Sequence, residues 1–184
     1  MVITTPLKKH IINQLKAGDK VLITGIIYTA RDAGHKRMIE QLAKGERIPF
    51  NIEESIIYYV GPSPAKPGEI IGSAGPTTSY RMDDYTPELL DLGLKGMIGK
   101  GNRHEKVIES MKKNGAVYFG AVGGAAALIA SSIIKAKVIA YEELGTEALR
   151  ELYVENFPAI VLIDQDGKNL YEEEKVKYRT YQAD

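Results

Sequence analysis

Short apolar runs alternate along this chain with stretches whose apolar residues recur every three or four positions, and that alternation confines it to a layered α/β fold. Lys20 to Ile27 (KVLITGII), Ile56 to Val60 (IIYYV), Gly96 to Ile98, Ala116 to Val122, Val138 to Tyr141 and Ala159 to Asp164 read as strands. Glu69 to Ser73 reads as a shorter one, and Lys168 to Tyr171 as a last one beyond an Asp166-Gly167 hairpin turn. Helices are expected over 7–17, from Thr29 to about Leu42, from Thr86 onward, over 103–113 and from Gly124 to Ile134. Thr29 has the character of an N-cap, with Asp32 three residues on as its capping partner. Thr86-Pro87-Glu88 joins a cap, a first-turn proline and an acid at the positive end of the helix dipole. The prolines of 61–68 make that stretch a loop. No repeat divides the chain, so one domain over 1–184 is expected, with a charged tail from Glu172 that frays.

Three of the strands empty into loops that combine glycine, hydroxyls and cations. In α/β sheets such loops gather ligands at the carboxyl ends of the strands. The densest is Ser73-Ala-Gly-Pro-Thr-Thr-Ser-Tyr-Arg-Met82, which sets Thr77, Thr78 and Ser79 behind a Gly-Pro turn and ahead of Arg81. Such a loop is suited to a small anion, or equally to tying down its own carbonyls. Arg31, expected in the first turn of its helix, either grips an anion beside free N–H groups or pairs at the surface with Asp32. Lys100 lies between Gly99 and Gly101, as a point charge on a close-approaching backbone or as a solvated turn lysine. Thr77 and Thr78 cap the turn or meet a ligand. As a base, a threonine hydroxyl needs a neighbouring carboxylate or cation. Asp83 and Asp84 either orient Arg81 or are solvated, and His35, one turn beyond Arg31, is expected to pack or cap locally. Gly99-Lys100 is no phosphate loop, because Leu94 stands where its first glycine belongs and Gly101 replaces the magnesium-binding hydroxyl. His104 likewise breaks a dinucleotide fingerprint.

Composition narrows the partners. Lys plus Arg and Asp plus Glu both number 24, so no global field draws nucleic acid or an anionic membrane. There is no cysteine, and His10, His35 and His104 form no ligand pair, so a protein-held metal is not expected. The N-terminus lacks a secretory apolar core, and no apolar run approaches the roughly 20 residues needed to span a bilayer. A soluble cytoplasmic protein is the expectation.

Read in order, Thr24-Gly25, Thr29-Ala-Arg-Asp-Ala-Gly-His35-Lys36, Gly61-Pro62, Gly75-Pro-Thr-Thr-Ser-Tyr-Arg-Met-Asp83, Ile98-Gly-Lys-Gly101, Gly123-Gly-Ala-Ala-Ala127 and Asn156-Phe-Pro-Ala159 resemble one known family. It is the β subunit of two-subunit iron–sulfur hydro-lyases, the class I fumarases and L(+)-tartrate dehydratases, which is also the C-terminal domain of single-chain fumarases. The resemblance covers about residues 18–170. Gly34, where alanine is common, is the one departure.

The resemblance implies a swivelling β/β/α domain with a mixed sheet. It implies that Arg31, Arg81 and Lys100 clamp substrate carboxylates and that Thr77 serves proton transfer at the adjacent carbon. Asp32, His35, Thr78 and Asp83 would support them. It also implies a [4Fe–4S] cluster held by an α subunit, an active site shared with that subunit, and a dimer of αβ units. The implied activity is hydration of fumarate to (S)-malate. The alternatives are dehydration of L(+)-tartrate to oxaloacetate, or a cluster-independent module that binds dicarboxylates.

Overall fold

A computed structural model describes residues 1–121 and 126–173. The strands are β1 (Val2–Thr4), β2 (Lys20–Thr29), β3 (Ile56–Tyr58), β4 (Gly96–Gly99), β5 (Val117–Ala121), β6 (Ile133–Ala140) and β7 (Leu149–Ile163). The helices are α1 (Lys9–Ile12), α2 (Asp32–Ala43), α3 (Thr86–Asp91), α4 (Glu105–Asn114) and α5 (Ala126–Ser132), with 3-10 turns at Ser79–Met82 and Glu142–Glu147. This is the α/β architecture with a mixed sheet that the sequence implies.

The sheet closes on itself. β2, β3, β4 and β5 run parallel, β7 pairs antiparallel with β5, and β7 pairs again with β2 to complete a five-stranded barrel. The two longest strands each serve two partners in succession along one edge. β2 pairs with β1 at Leu22–Thr24 and with β3 at Tyr28–Thr29. β7 pairs with β6 over Leu149–Val154 and with β5 from Ala159.

Side-chain alternation then sorts two cores. Ile56, Tyr58, Val60, Ile98, Val117 and Phe119 join Leu152, Val154 and Phe157 in the barrel interior. Ile57, Tyr59, Met97 and Tyr118 face outward and meet Met38 of α2, Leu89 and Leu90 of α3, and Val107 and Met111 of α4. Strands buried on both faces are why IIYYV carries no charged residue.

Several expectations are corrected. β7 begins ten residues before Ala159 and passes through Pro158, because an irregularity opposite Ile23–Gly25 takes up an extra residue. Asn156 there adopts φ 53°, and its N–H donates to Thr24 Oγ1 at 3.0 Å. β6 starts at Ile133, inside the stretch expected as helix, and the Gly123-Gly124 start of that helix lies outside the described residues. No strand forms over 69–73; that loop is held instead by Ser63 N–H to the Ser73 carbonyl at 3.0 Å and Ser73 N–H to Ser63 Oγ at 2.8 Å. The Asp166-Gly167 turn leads into a helical turn at 170–173 rather than a strand. Helix 7–17 shortens to α1, although Leu7, Ile12 and Leu15 are all buried. Thr29 remains in β2, where its Oγ1 accepts the Arg150 N–H at 3.2 Å, so Arg31 takes the N-cap position of α2. Among the described residues no helix is long and apolar enough to cross a membrane.

Candidate functional site at the ends of three parallel strands

Because β2, β3 and β4 are parallel neighbours, the loops that leave them emerge at one end of the barrel. Ala30 N–H donates to the Tyr58 carbonyl at 3.2 Å, which holds the first loop against β3. Thr77 N–H donates to the Tyr59 carbonyl at 2.7 Å, so the Gly-Pro-Thr-Thr loop folds back onto the end of that same strand. Thr78 then forms a parallel bridge with Lys100, and Ser79 N–H donates to the Lys100 carbonyl at 3.0 Å. The loop is thereby an extra rung laid beside the end of β4.

The guanidinium groups complete the cluster. Arg31 and Arg81 both approach Asp32, at 3.8 Å from Arg31 Nε to Oδ2 and 3.4 Å from Arg81 Nε to Oδ1. Arg31 Nη2 also lies 3.4 Å from Glu147 Oε1, while Glu147 Oε2 accepts the Ala33 N–H at 2.9 Å. These ion pairs are long, and Arg31 Nε and Asp32 Oδ2 are buried without a hydrogen-bond partner at 3.8 Å, so none of these contacts is a strong one. An incoming carboxylate can therefore replace Asp32 without breaking a strong contact. Lys100 is exposed, and among the described residues its ammonium has no ion-pair partner. The Thr77 hydroxyl likewise makes no hydrogen bond among the described residues.

His35 is wholly buried behind Arg31. Its Nδ1 lies 2.8 Å from the Arg31 carbonyl, which fixes the proton on Nδ1. The ring meets Tyr59 edge-on at 5.2 Å, and burial pulls its pKa down to about 4. It is a neutral packing group, as its position one turn beyond Arg31 suggested.

Asp83 differs from expectation. It does not meet Arg81; it is 1% exposed and accepts from Arg103 Nε at 2.6 Å and from the His104 N–H at 2.7 Å. The carboxylate at Arg81 is Asp32. Sequence reasoning also missed Arg103, which is fully buried between loops, and Glu147, which reaches Arg31 from the turn before β7. Neither sits in a distinctive sequence context, so no local signal marked them.

A hollow of about 310 Å³ among Pro6, Ile26, Tyr28, Glu53 and Tyr153 lies along the outer face of β2 and has no cation to meet a carboxylate. The cationic cluster is the better site for an anion. Two guanidiniums meet at Asp32, and the loop that carries Thr77 and Arg81 is joined through its backbone to Lys100, a gathering of positive charge suited to a small molecule with two carboxylates.

The family model for the fumarase C-terminus matches residues 1–174. The chain belongs to that family. A Methanocaldococcus jannaschii protein named provisionally as L(+)-tartrate dehydratase subunit beta is 42% identical over 173 residues, covering 91% of this chain and 89% of its own. The aerobic class I fumarate hydratase of Escherichia coli is 37% identical over 164 residues, 88% of this chain and 30% of its own. Fumarate hydratase 2 of Leishmania major is 38% identical over 162 residues, 87% of this chain and 28% of its own. The chain thus spans nearly all of the first relative and under a third of the other two.

The family resemblance brings a [4Fe–4S] cluster into question, and the residues of this chain do not fit one. It has no cysteine, and among the described residues no three His, Asp or Glu side chains converge as a metal site.

Proposed function

We propose that this chain is the β subunit of a class I fumarate hydratase, supplying one half of a shared active site for the interconversion of fumarate and (S)-malate. The observation that supports this reading is that the loops bearing Arg31, Thr77, Arg81 and Lys100 meet at the carboxyl ends of β2, β3 and β4. Binding a four-carbon diacid requires two carboxylates to be held at fixed spacing, so that the carbon between them presents its proton to a base. Arg31, Arg81 and Lys100 hold the carboxylates. Thr77 exchanges the proton at the carbon next to one of them, with a companion group supplied from outside this chain. The metal chemistry at the hydroxyl falls to a cysteine-bearing partner, and none of it is assigned to these residues. The chain alone is therefore proposed to be inactive, and the αβ unit to double into a dimer in the cytoplasm.

A second reading has its own support. The Methanocaldococcus jannaschii relative named for L(+)-tartrate is both the more identical of those compared and nearly the same length. Tartrate differs from malate by one hydroxyl, and the same cation cluster serves either diacid.

The test is reconstitution with a cysteine-bearing partner and anaerobic assay on fumarate, malate and L(+)-tartrate. Lys100→Ala and Arg81→Ala are expected to lower kcat/KM about 10- to 100-fold, the worth of one charge-assisted hydrogen bond, with the fold intact by circular dichroism. Wild-type kcat/KM in both variants overturns the site.

A further inference from the structure

We propose that Tyr118 is a positioning residue that, with Arg103, clasps the Thr77–Arg81 loop to the Lys100 loop, and that turnover depends on this clasp. The inference rests on the functional reading above. It begins from a geometric need: the cations that hold a diacid sit on separate loops, so their spacing is only as fixed as the contacts between those loops.

Tyr118 lies on the outward face of β5 and is fully buried. Its hydroxyl donates to the Gly101 carbonyl at 2.8 Å and lies 2.8 Å from Ser79 Oγ. A phenol has one proton, which the carbonyl takes, so the Ser79 hydroxyl donates to the Tyr118 oxygen. One tyrosine oxygen therefore bonds the loop after β3 and the loop after β4 together. Ser79 stands two residues from both Thr77 and Arg81, and Gly101 directly follows Lys100.

Gly99 makes room for this contact, since a Cβ there would stand 1.9 Å from Ser79 Oγ.

Arg103 holds the same pair of loops from below. Its guanidinium is sandwiched between the rings of Tyr118 and Tyr59, at 5.0 and 5.3 Å. It bonds Asp83 at 2.6 Å, at the far end of the Arg81 loop, and Thr86 Oγ1 at 2.9 Å, at the start of α3. Asp83 returns the tie by accepting the His104 N–H at 2.7 Å. A buried charge left with half its partners is costly, so this network has one satisfied arrangement and keeps the loops in it.

None of these groups reaches the proposed substrate. Their role is the distance between Lys100 and the Thr77–Arg81 pair. Releasing the clasp leaves the loops joined by the Thr78–Lys100 bridge and the Ser79 N–H bond to the Lys100 carbonyl, so each cation still meets a carboxylate but at a looser spacing than the transition state needs. The loss therefore appears in kcat rather than in KM.

The experiment uses the reconstituted complex carrying Tyr118→Phe, which keeps the ring over Arg103 and removes only the hydroxyl. The expected result is a kcat about 10- to 100-fold lower, a KM within about 3-fold of wild type, and faster amide exchange at Ser79 while the barrel amides stay protected. Ser79→Ala is expected to lower kcat too, and the double variant to fall short of the product of the two effects, because both remove one link. A wild-type kcat per folded complex in Tyr118→Phe, or an unchanged Ser79 exchange rate, overturns the clasp alone. A wild-type complex inert toward all three diacids overturns the functional reading and the catalytic role of the clasp with it.

Discussion

Gly61 packs against Arg31 and Gly99 against Ser79, and the same substitution should act differently at each. A Cβ on Gly61 would stand 2.8 Å from Arg31 Cδ and 2.9 Å from its Nη1, with the Thr146 carbonyl next at 3.2 Å. The arginine is partly exposed and flexible, so it yields. Gly61→Ala should cost under about 1 kcal/mol of stability yet lower kcat/KM roughly 10-fold by moving the guanidinium. On Gly99 the added carbon meets the fully buried Ser79, which has nowhere to go, and Gly99→Ala should cost about 1–3 kcal/mol as well as activity. Denaturant melts beside steady-state kinetics separate the two cases. His35 gives the residue scale a pH signature. Its folded pKa, lowered from 6.5 to about 4 by burial, means the unfolded chain binds the proton first. The stability of the neutral form is thus full above pH ~6.5 and drains away as the pH falls toward 4, by on the order of 3 kcal/mol. Asp84 and Asp91, held below their usual range by hydrogen bonds from Lys106 and Asn114, titrate beneath that window. Denaturation midpoints measured between pH 7.5 and 4 should show the slope, and His35→Gln should flatten it.

Among the elements, β7 is the one on which closure depends, since it pairs with β2, β5 and β6. Phe157 fills the barrel at its bend, fully buried and edge-on to Tyr58 at 5.2 Å. Phe157→Ala should destabilise the chain by about 3–5 kcal/mol in urea titrations; a loss below about 1 kcal/mol would mean the barrel is not the core. The same strand shows where sequence reading stops. β3, β4 and β5 were legible because continuous apolar runs mark strands covered on both faces, β2 because its buried positions largely alternate, and α2 and α4 because their buried positions keep helical spacing. β7 keeps its period of two from Leu152 to Val154, but the extra residue at Glu155-Asn156 moves the next inward side chain to Phe157. A bulge looks like neither period, so the strand was truncated to its last apolar run. The site divides along the same line. Thr77, Arg81 and Lys100 lie among glycines and hydroxyls that leave a ligand role and a turn role both open, Arg31 by position alone reads as a partner of Asp32, and it is the family resemblance that groups the four. Glu147, Arg103 and Tyr118 come to the site only through barrel closure and helix packing, which no local spacing records.

For the whole molecule, the decisive property is that the cation cluster lies open. Arg81 is 40% exposed and Lys100 is exposed, while Arg31 is 24% exposed with its Nε buried, so water screens most of the contacts they could make. Three exposed charge contacts at up to about 1 kcal/mol each fall short of the roughly 4 kcal/mol that even a millimolar Kd requires. Desolvation by a second surface is what would strengthen them, since the same pair of charges gains several-fold in energy as the surrounding dielectric falls. Calorimetric titration of the isolated chain with fumarate should therefore show no saturable binding below about a millimolar, and the weak signal should fade with added salt. Adding the proposed cysteine-bearing partner should bring saturable binding into the micromolar range, with Lys100→Ala and Arg81→Ala each removing most of it. Tight binding by the chain alone would reverse the argument: the cluster would then be complete in itself, as in a dicarboxylate-binding module, and a half-site awaiting a partner would be the wrong description.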